Sequence, residues 1–351
     1  MAALAALLLP LAHLQRALLG LALVIDFLSD GAVPALAALA PAPLETSLAV
    51  AGTPADLYRL QGRGSGPGLV LVHGLVEEGR RDPRMIQAAR RLARSGFTIL
   101  VPDLPELRQG RVRPEDATRV VEAVRALRHP PATVTRVALV GISVGAGPAL
   151  FAAADPAIRD GVAMVLTLGG FADAKALIQH MLAGAVDREL VRAFVLRNLD
   201  LFAGPRDQAL LADALSRSFA ALEDPGLERR LTPRGQAVAR LITRRSAQDV
   251  ARALEALPAE VQTVLDRLSP VRVTADLRAR LLLIHGVGDP AIPFTESQKL
   301  YAAARSHTPT RLTLLRVIGH VEPAVSSLGD GLALAGDVLR LWEAAYELLT
   351  L

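Results

Sequence analysis

Cysteine is absent from the 351 residues, which excludes disulfides, thiolate metal sites and a cysteine nucleophile and leaves the compartment unconstrained by redox arguments. Lysine is nearly absent. Only Lys175 and Lys299 are lysines among 39 basic residues. The arginines are scattered along segments of helical periodicity, often beside an acid, as Arg229-Arg230 follow Glu228. No basic arm is interleaved with aromatics, so no nucleic-acid partner is expected despite the net charge of +4 and a pI near 10.0. Aromatics make up 3% of the chain, so Ala, Leu and Val must build the core. No HExxH and no His/Asp cluster with metal-ligand spacing occurs, and no metal or cofactor is expected. The glycine-rich stretch Gly62–Gly68 is not followed by GK[ST] or GxGxxG; it reads as a flexible connection and not a nucleotide cradle.

Charge is also scarce at the N-terminus. Residues 1–28 are nearly all apolar, interrupted by Pro10, His13, Gln15, Arg16, Gly20 and Asp26, with no unbroken apolar run of 18. Met1–Leu9 lacks the basic flank of an export signal, although a small-residue cleavage site can be drawn near Ala38-Leu39-Ala40. His13, Arg16 and Gly20 share one helical face among leucines. That pattern suits a helix at a membrane boundary, and membrane contact through residues 1–28 is the expectation; cleaved export and docking on the protein's own cap are the competing readings. Pro34, Pro41 and Pro43 mark a linker, giving an N-terminal unit of residues 1–43.

Strand and helix signals then alternate. Ser47–Ala51 and Leu57–Gln61 suggest an antiparallel pair. Leu69–His73, Thr98–Val101, Arg136–Val140, Met164–Leu168, Leu281–His285 and Thr313–Val317 read as strands, and the first of these is apolar without alternation, as in a parallel sheet covered on both faces. Helices are expected at Pro83–Ser95, Pro114–His129, Ala146–Ala154, Thr295–Arg305 and Ser326–Leu349. Between Phe171 and about Ala275 only helical periodicity occurs. The expected organisation is one α/β domain from residues 44–170 and 276–351, with a helical insertion over 171–275 placed above the strand C-termini as a cap.

The richest stretch is Gly141-Ile142-Ser143-Val144-Gly145, between an apolar strand and a small-residue helix. This is the G-x-S-x-G elbow, a sharp strand-to-helix turn that exposes a serine hydroxyl. Gly141 and Gly145 lack the bulk that would keep strand and helix apart. The Val144 N–H falls at a helix N-terminus, where a developing oxyanion is stabilised. A serine nucleophile needs a base and a group to orient that base. His320, in a loop after a predicted strand, is the candidate base. Asp289, in His285-Gly286-Val287-Gly288-Asp289-Pro290, is the candidate acid, with Asp173 and Glu322 as weaker substitutes. The order Ser143, Asp289, His320 is the one expected for this elbow. Gly74 would let the backbone turn so that the Leu75 N–H completes the oxyanion hole, while His73 braces that loop.

These segments, with Val72-His73-Gly74, Val101-Pro102-Asp103-Leu104, Ile284-His285-Gly286, Asp289-Pro290, Ile292-Pro293 and Gly319-His320, resemble the α/β-hydrolase family. The resemblance implies an eight-stranded, mostly parallel sheet with Ser143 as nucleophile, His320 as base, Asp289 as its partner, and Leu75 and Val144 as oxyanion donors. It leaves the substrate open, because this fold hosts many chemistries. The expected activity is hydrolysis of a carboxylic ester, a small molecule with a hydrophobic part, given the leucine-rich insertion. Acyl transfer by the same triad, amide or peptide cleavage, and a catalytically silent binding protein are the alternatives. The apolar N-terminus and large insertion depart from the minimal family plan.

Overall fold

The computed structural model describes residues 2–62, 66–323 and 331–351, with side chains from Leu11 to the middle loop and again from Leu334. Part of the Gly62–Gly68 loop and the expected helix start at Ser326 therefore lie outside the described residues. Eight strands form one sheet: β1 (Leu44–Val50), β2 (Thr53–Arg59), β3 (Gly68–Val72), β4 (Thr98–Pro102), β5 (Val137–Ile142), β6 (Val162–Leu168), β7 (Arg280–Gly286) and β8 (Thr310–Leu315). Their order is β1-β2-β4-β3-β5-β6-β7-β8. The β1–β2 and β2–β4 pairs are antiparallel, and every other pair is parallel. This is the eight-stranded, mostly parallel sheet that the resemblance implied.

Alternate residues of each central strand feed two cores, as the period of two requires. Val70, Leu139 and Leu283 face a layer that includes the helices Asp116–Leu127, Ala146–Ala154 and Thr295–Ala304. Leu71, Val140 and Ile284 face the helices Pro83–Arg94 and Gly331–Leu348. Because both faces are covered, these strands read as continuous apolar runs.

The insertion has a hydrophobic core of its own, including Leu199, Leu211, Leu215 and Val261. Its helices run from Ala174 to Arg267. The chain leaves and returns at one neck, where the Val271 N–H donates to Ala172 O (3.0 Å) and the Ala174 N–H to Ser269 Oγ (3.0 Å). The buried Glu296 carboxylate accepts from the Ala172 and Asp173 amides (3.0 and 2.9 Å) and pairs with Lys299, so the neck is tied to the β7–β8 connection.

Residues Ala2–Leu28 form one helix. The Pro34 region, expected as linker, instead starts a short helix, Ala35–Leu39, whose Leu36 is fully buried. The long helix packs along Gly331–Leu348. Gly20 meets Trp342 and the Tyr346 backbone, Trp342 Nε1–H donates to Ala17 O (2.9 Å), and His13 Nδ1 meets the Tyr346 hydroxyl (2.5 Å). Asp26 is buried and holds Arg91 Nε at 2.6 Å. Gly20 and Asp26 of this helix thus face the protein, while His13 reaches Tyr346 from an exposed position. Leu11, Leu14, Leu18, Leu21 and Ile25 are left exposed on its outside. Among the described residues the helix docks on the α/β core and not on the cap, and it keeps an outward apolar surface.

Candidate active site

β5 ends in the elbow. Ser143 has φ +55°, in the left-handed region that non-glycine residues occupy at a cost of about 1–3 kcal/mol. The flanking glycines make this turn fit. A Cβ on Gly141 would lie 2.5 Å from Ala146 Cα, and one on Gly145 would collide with the His73 carbonyl. The helix that follows, Ala146–Ala154, is rich in Ala and, apart from Phe151, buried. Its Pro148 sits in the first turn, where a missing N–H costs nothing.

Three loops at the strand C-termini converge on Ser143. His320 Nε2 lies 2.7 Å from Ser143 Oγ, and His320 Nδ1 lies 2.6 Å from Asp289 Oδ2. A carboxylate only accepts, so Nδ1 carries the proton and Nε2 is free to accept the serine hydroxyl. Asp289 is itself held firmly: its Oδ1 accepts from the Ala291 and Ile292 amides (2.8 and 3.0 Å). Burial pushes its acidity down, but hydrogen bonds from His285, His320 and the Ile292 amide outweigh that and keep the carboxyl well below the usual carboxylate range. It is ionised at neutral pH.

The other expected residues fall around this chain of bonds. Gly74 and Leu75 follow β3; a Cβ on Gly74 would sit 3.1 Å from Ser143 Cβ. Among the described residues no acceptor takes the Leu75 N–H. His73 is fully buried. Its Nε2 accepts from the Leu104 N–H (3.2 Å) and its Nδ1–H donates to Gly74 O (2.8 Å), so it ties β4 to the loop before Leu75. Burial lowers its basicity, with the Gly74 hydrogen bond opposing. Asp173 and Glu322, the substitute acids, are engaged elsewhere. Asp173 caps the Ala174–His180 helix, and Glu322 pairs with Arg84 at 2.5 Å.

Further residues position this chain of bonds, and one of them, Asp337, lies in no motif. His285 lies fully buried beneath Asp289, with Nε2 2.9 Å from Ile292 O and 3.3 Å from Asp289 Oδ2. The Asp337 carboxylate, buried on the C-terminal helix, accepts from the Arg316 and Val317 amides (2.5 and 3.1 Å) and steadies the chain leading to His320. Gly286 is the close-packing point between the acid and histidine loops, since a Cβ there would collide with the Gly319 and Ile318 carbonyls. The glycines of the His285–Asp289 stretch were visible as a tight loop, but the partner that demands Gly286 comes from over thirty residues away. Among the described residues no group of His, Asp or Glu could hold a metal ion.

Ser143 and His320 open into a cavity of about 760 Å³, within the usual range of roughly 300–1,000 Å³ for small-molecule sites. Its walls are mostly apolar, with Leu75, Phe171, Leu177 and Phe194 on the cap side.

A doubly covered parallel sheet, a serine on a strained elbow after its fifth strand, and an acid and histidine after the seventh and eighth define the α/β-hydrolase class. The chain belongs to that family: residues 69–333 match the model described as "Alpha/beta hydrolase family". No curated protein matches its sequence. Among solved structures it is similar to a puromycin-hydrolyzing peptidase from Mycobacterium tuberculosis (18% identity, TM-score 0.50, 87% of this chain and 38% of that one). It is also similar to Est1E from Butyrivibrio proteoclasticus (14%, 0.49, 87% and 97%) and an acylaminoacyl peptidase from Pyrococcus horikoshii (14%, 0.48, 88% and 41%). The chain spans about two fifths of the length of that acylaminoacyl peptidase. At these identities the likeness concerns the fold.

Proposed function

We propose that this protein is a serine hydrolase that cleaves carboxylic esters bearing a hydrophobic chain. The observation that carries the reading is the Ser143–His320–Asp289 hydrogen-bonded chain opening on an apolar cavity. Ser143 Oγ attacks the acyl carbonyl as its proton passes to His320 Nε2. The Leu75 and Val144 amides receive the oxyanion, each worth on the order of 3 kcal/mol. Collapse of the tetrahedral species breaks the ester C–O bond, and the proton on His320 goes to the leaving alcohol. Water then attacks the acyl-serine as one of its protons passes to His320 Nε2; collapse of this second tetrahedral species breaks the acyl C–O bond to Ser143, His320 returns the proton to Ser143 Oγ, and the carboxylic acid leaves. Asp289 holds the imidazole tautomer and stabilises the imidazolium throughout.

The test is labelling by a fluorophosphonate, which reports an activated serine without presuming a substrate. Wild type is expected to label; folded Ser143→Ala is expected not to, and its ester turnover is expected to fall by about 10⁵-fold or more. Equal labelling of both proteins sinks the reading.

We further propose that the outward face of the first helix rests on a lipid bilayer. Supporting this are the exposed leucines, the inward-facing Asp26, and an apolar segment, Leu11–Leu28, with mean hydropathy 1.6. Flotation with phosphatidylcholine vesicles, lost in a Leu14→Glu/Leu18→Glu variant, is the expected result. A vesicle-independent dimer abolished by the same changes assigns the stripe to a second copy instead.

A further inference from the structure

The cavity does not stop at the catalytic edge. Besides its cap-side walls it is bounded by Leu71, Val140, Leu166 and Ile284, which belong to the sheet face under the Pro83–Arg94 and Gly331–Leu348 helices, and the Pro83–Arg94 helix adds Arg84, Gln87 and Arg91 to its lining. Beyond them its wall includes Leu23, Val24 and Phe27 from the first helix. One cavity therefore extends from Ser143 in two directions, under the cap and along the sheet toward the N-terminal helix.

We propose that the sheet-side arm is an acyl-chain site, with the first helix as its distal wall. The inference rests on the ester-hydrolase reading for what is bonded to Ser143, and four observations carry it. First, the four strand residues that bound the arm are aliphatic and each less than a tenth exposed, so this wall favours methylenes over a polar group. Second, the two guanidinium groups that the Pro83–Arg94 helix adds to the lining are committed, Arg91 to Asp26 at 2.6 Å and Arg84 to Asp82 and Glu322 at 2.7 and 2.5 Å, so neither addresses the cavity as a free cation. Third, the acyl half of an ester remains on Ser143 after the alcohol departs, so it is the half that a deep apolar arm can retain. The cap-side arm carries Glu77, Arg108 and Arg197 on its rim, exposed groups suited to a leaving alcohol and entering water. Fourth, the distal wall is fixed. The Trp342–Ala17 hydrogen bond and the Asp26–Arg91 pair pin the first helix to the body, and Leu36 N–H reaches Asp26 as well (3.4 Å). The leucines outside and the chain-binding residues inside then lie on opposite faces of one helix.

Two substitutions in the full-length protein test this. Ala88→Phe projects a ring into the arm from the Pro83–Arg94 helix; Phe27→Ala enlarges its far end. Turnover is measured on 4-nitrophenyl esters from acetyl to hexadecanoyl, and separately on acetate esters of lengthening alcohols. Ala88→Phe is expected to lower the dodecanoyl-to-acetyl ratio of kcat/KM by at least about tenfold, and Phe27→Ala to move the acyl optimum to longer chains. Neither should reshape the alcohol series. An unchanged acyl profile in both variants, or a shift in the alcohol series alone, overturns the proposal.

A second readout needs no catalysis. Trp342 is the single tryptophan and sits against the first helix. cis-Parinaric acid, whose tail carries a conjugated tetraene, is expected to quench its emission in Ser143→Ala protein and to bind more weakly once Ala88→Phe is added. If no ester is cleaved yet this binding and its loss are seen, the chain site stands and the hydrolase reading fails. If acetyl esters are cleaved and parinarate leaves Trp342 unquenched, the hydrolase reading stands and the chain site falls.

Discussion

The catalytic edge of the sheet and the cap above it are held together by different physics. At the edge, backbone meets backbone. Gly141 fits against Ala146, Gly145 against His73, and Gly286 against Gly319, all closer than a side chain allows. In the cap the contacts are between alanine, leucine and valine side chains with many neighbours of similar shape. An edge built this way has one geometry, because backbone carbonyls cannot repack; a core built from aliphatic side chains yields when one is trimmed. The Ser143–His320–Asp289 chain of hydrogen bonds sits on the rigid part, and the adaptable part supplies one side of the cavity wall.

The largest expected effect comes from the edge. In Asp289→Asn an oxygen can still accept the Ala291 and Ile292 amides, which leaves an NH2 facing His320 Nδ1. The imidazole must then present an acceptor there and carry its proton on Nε2, where it cannot take the serine proton. On a short-chain ester kcat should fall about 10⁴-fold with the fold intact; a loss under tenfold means the chain of bonds is not the working arrangement. The pKa of Asp289 is depressed in the fold, so its carboxylate stabilises the protein at neutral pH. That share is lost only as the pH drops below the ordinary aspartate value of about 4. Next is Gly286→Ala, whose methyl pushes the His320 loop away. A displacement near 1 Å costs about 10²-fold in rate, seen as a fall in kcat with a lowered melting temperature.

Leu211→Ala gives the converse. Leu211 is fully buried in the cap core, away from the cavity lining. Denaturant unfolding should show a loss of about 2–5 kcal/mol, while kcat on an acetyl ester stays within about threefold of wild type under native conditions. A rate loss matching that of Gly286→Ala would erase the distinction between edge and cap.

The same contrast explains what the sequence reveals. Ser143, Gly141 and Gly145 are legible because a strained elbow admits few residues and sets them at fixed spacing. Asp289 and His320 are legible through the strands that precede them. The sheet follows from apolar runs punctuated by glycine and proline. Asp337, Glu296 and Gly286 are not legible as site residues, because their partners lie far along the chain and their side chains or backbone do ordinary things: accept an amide, cap a neck, leave room. The second arm of the cavity is equally hidden, since Leu71 and Val24 look like any core residue until the space between them is seen. The first helix shows the limit most directly. His13 and Gly20 were visible together, but their contacts depend on Tyr346 and Trp342 over three hundred residues later.

The smallest effect lies at the seam between the two regions. Asp116 opens the Asp116–Leu127 helix, nearly fully buried, just after a loop where Arg111 and Arg113 pair with Asp200 of the cap and Asn198 accepts the Val112 N–H. Burial raises its pKa to about 7, opposed by the hydrogen bond from the Arg113 amide. Since the folded value exceeds the unfolded one, the folded chain binds the proton more tightly. Below about pH 4 both states are protonated and burial of the carboxyl carries no ionisation penalty. As the pH rises from 4 to 7 the unfolded chain releases its proton first and stability falls, on the order of 1–3 kcal/mol, levelling off above pH 7. Asp116→Asn removes the titration and leaves an oxygen for the Arg113 amide. The variant should therefore gain on wild type by a few degrees of Tm between pH 4 and 7 and no further above it. Parallel Tm curves for the two proteins across that range would place the Asp116 carboxyl in water and loosen the seam between cap and core.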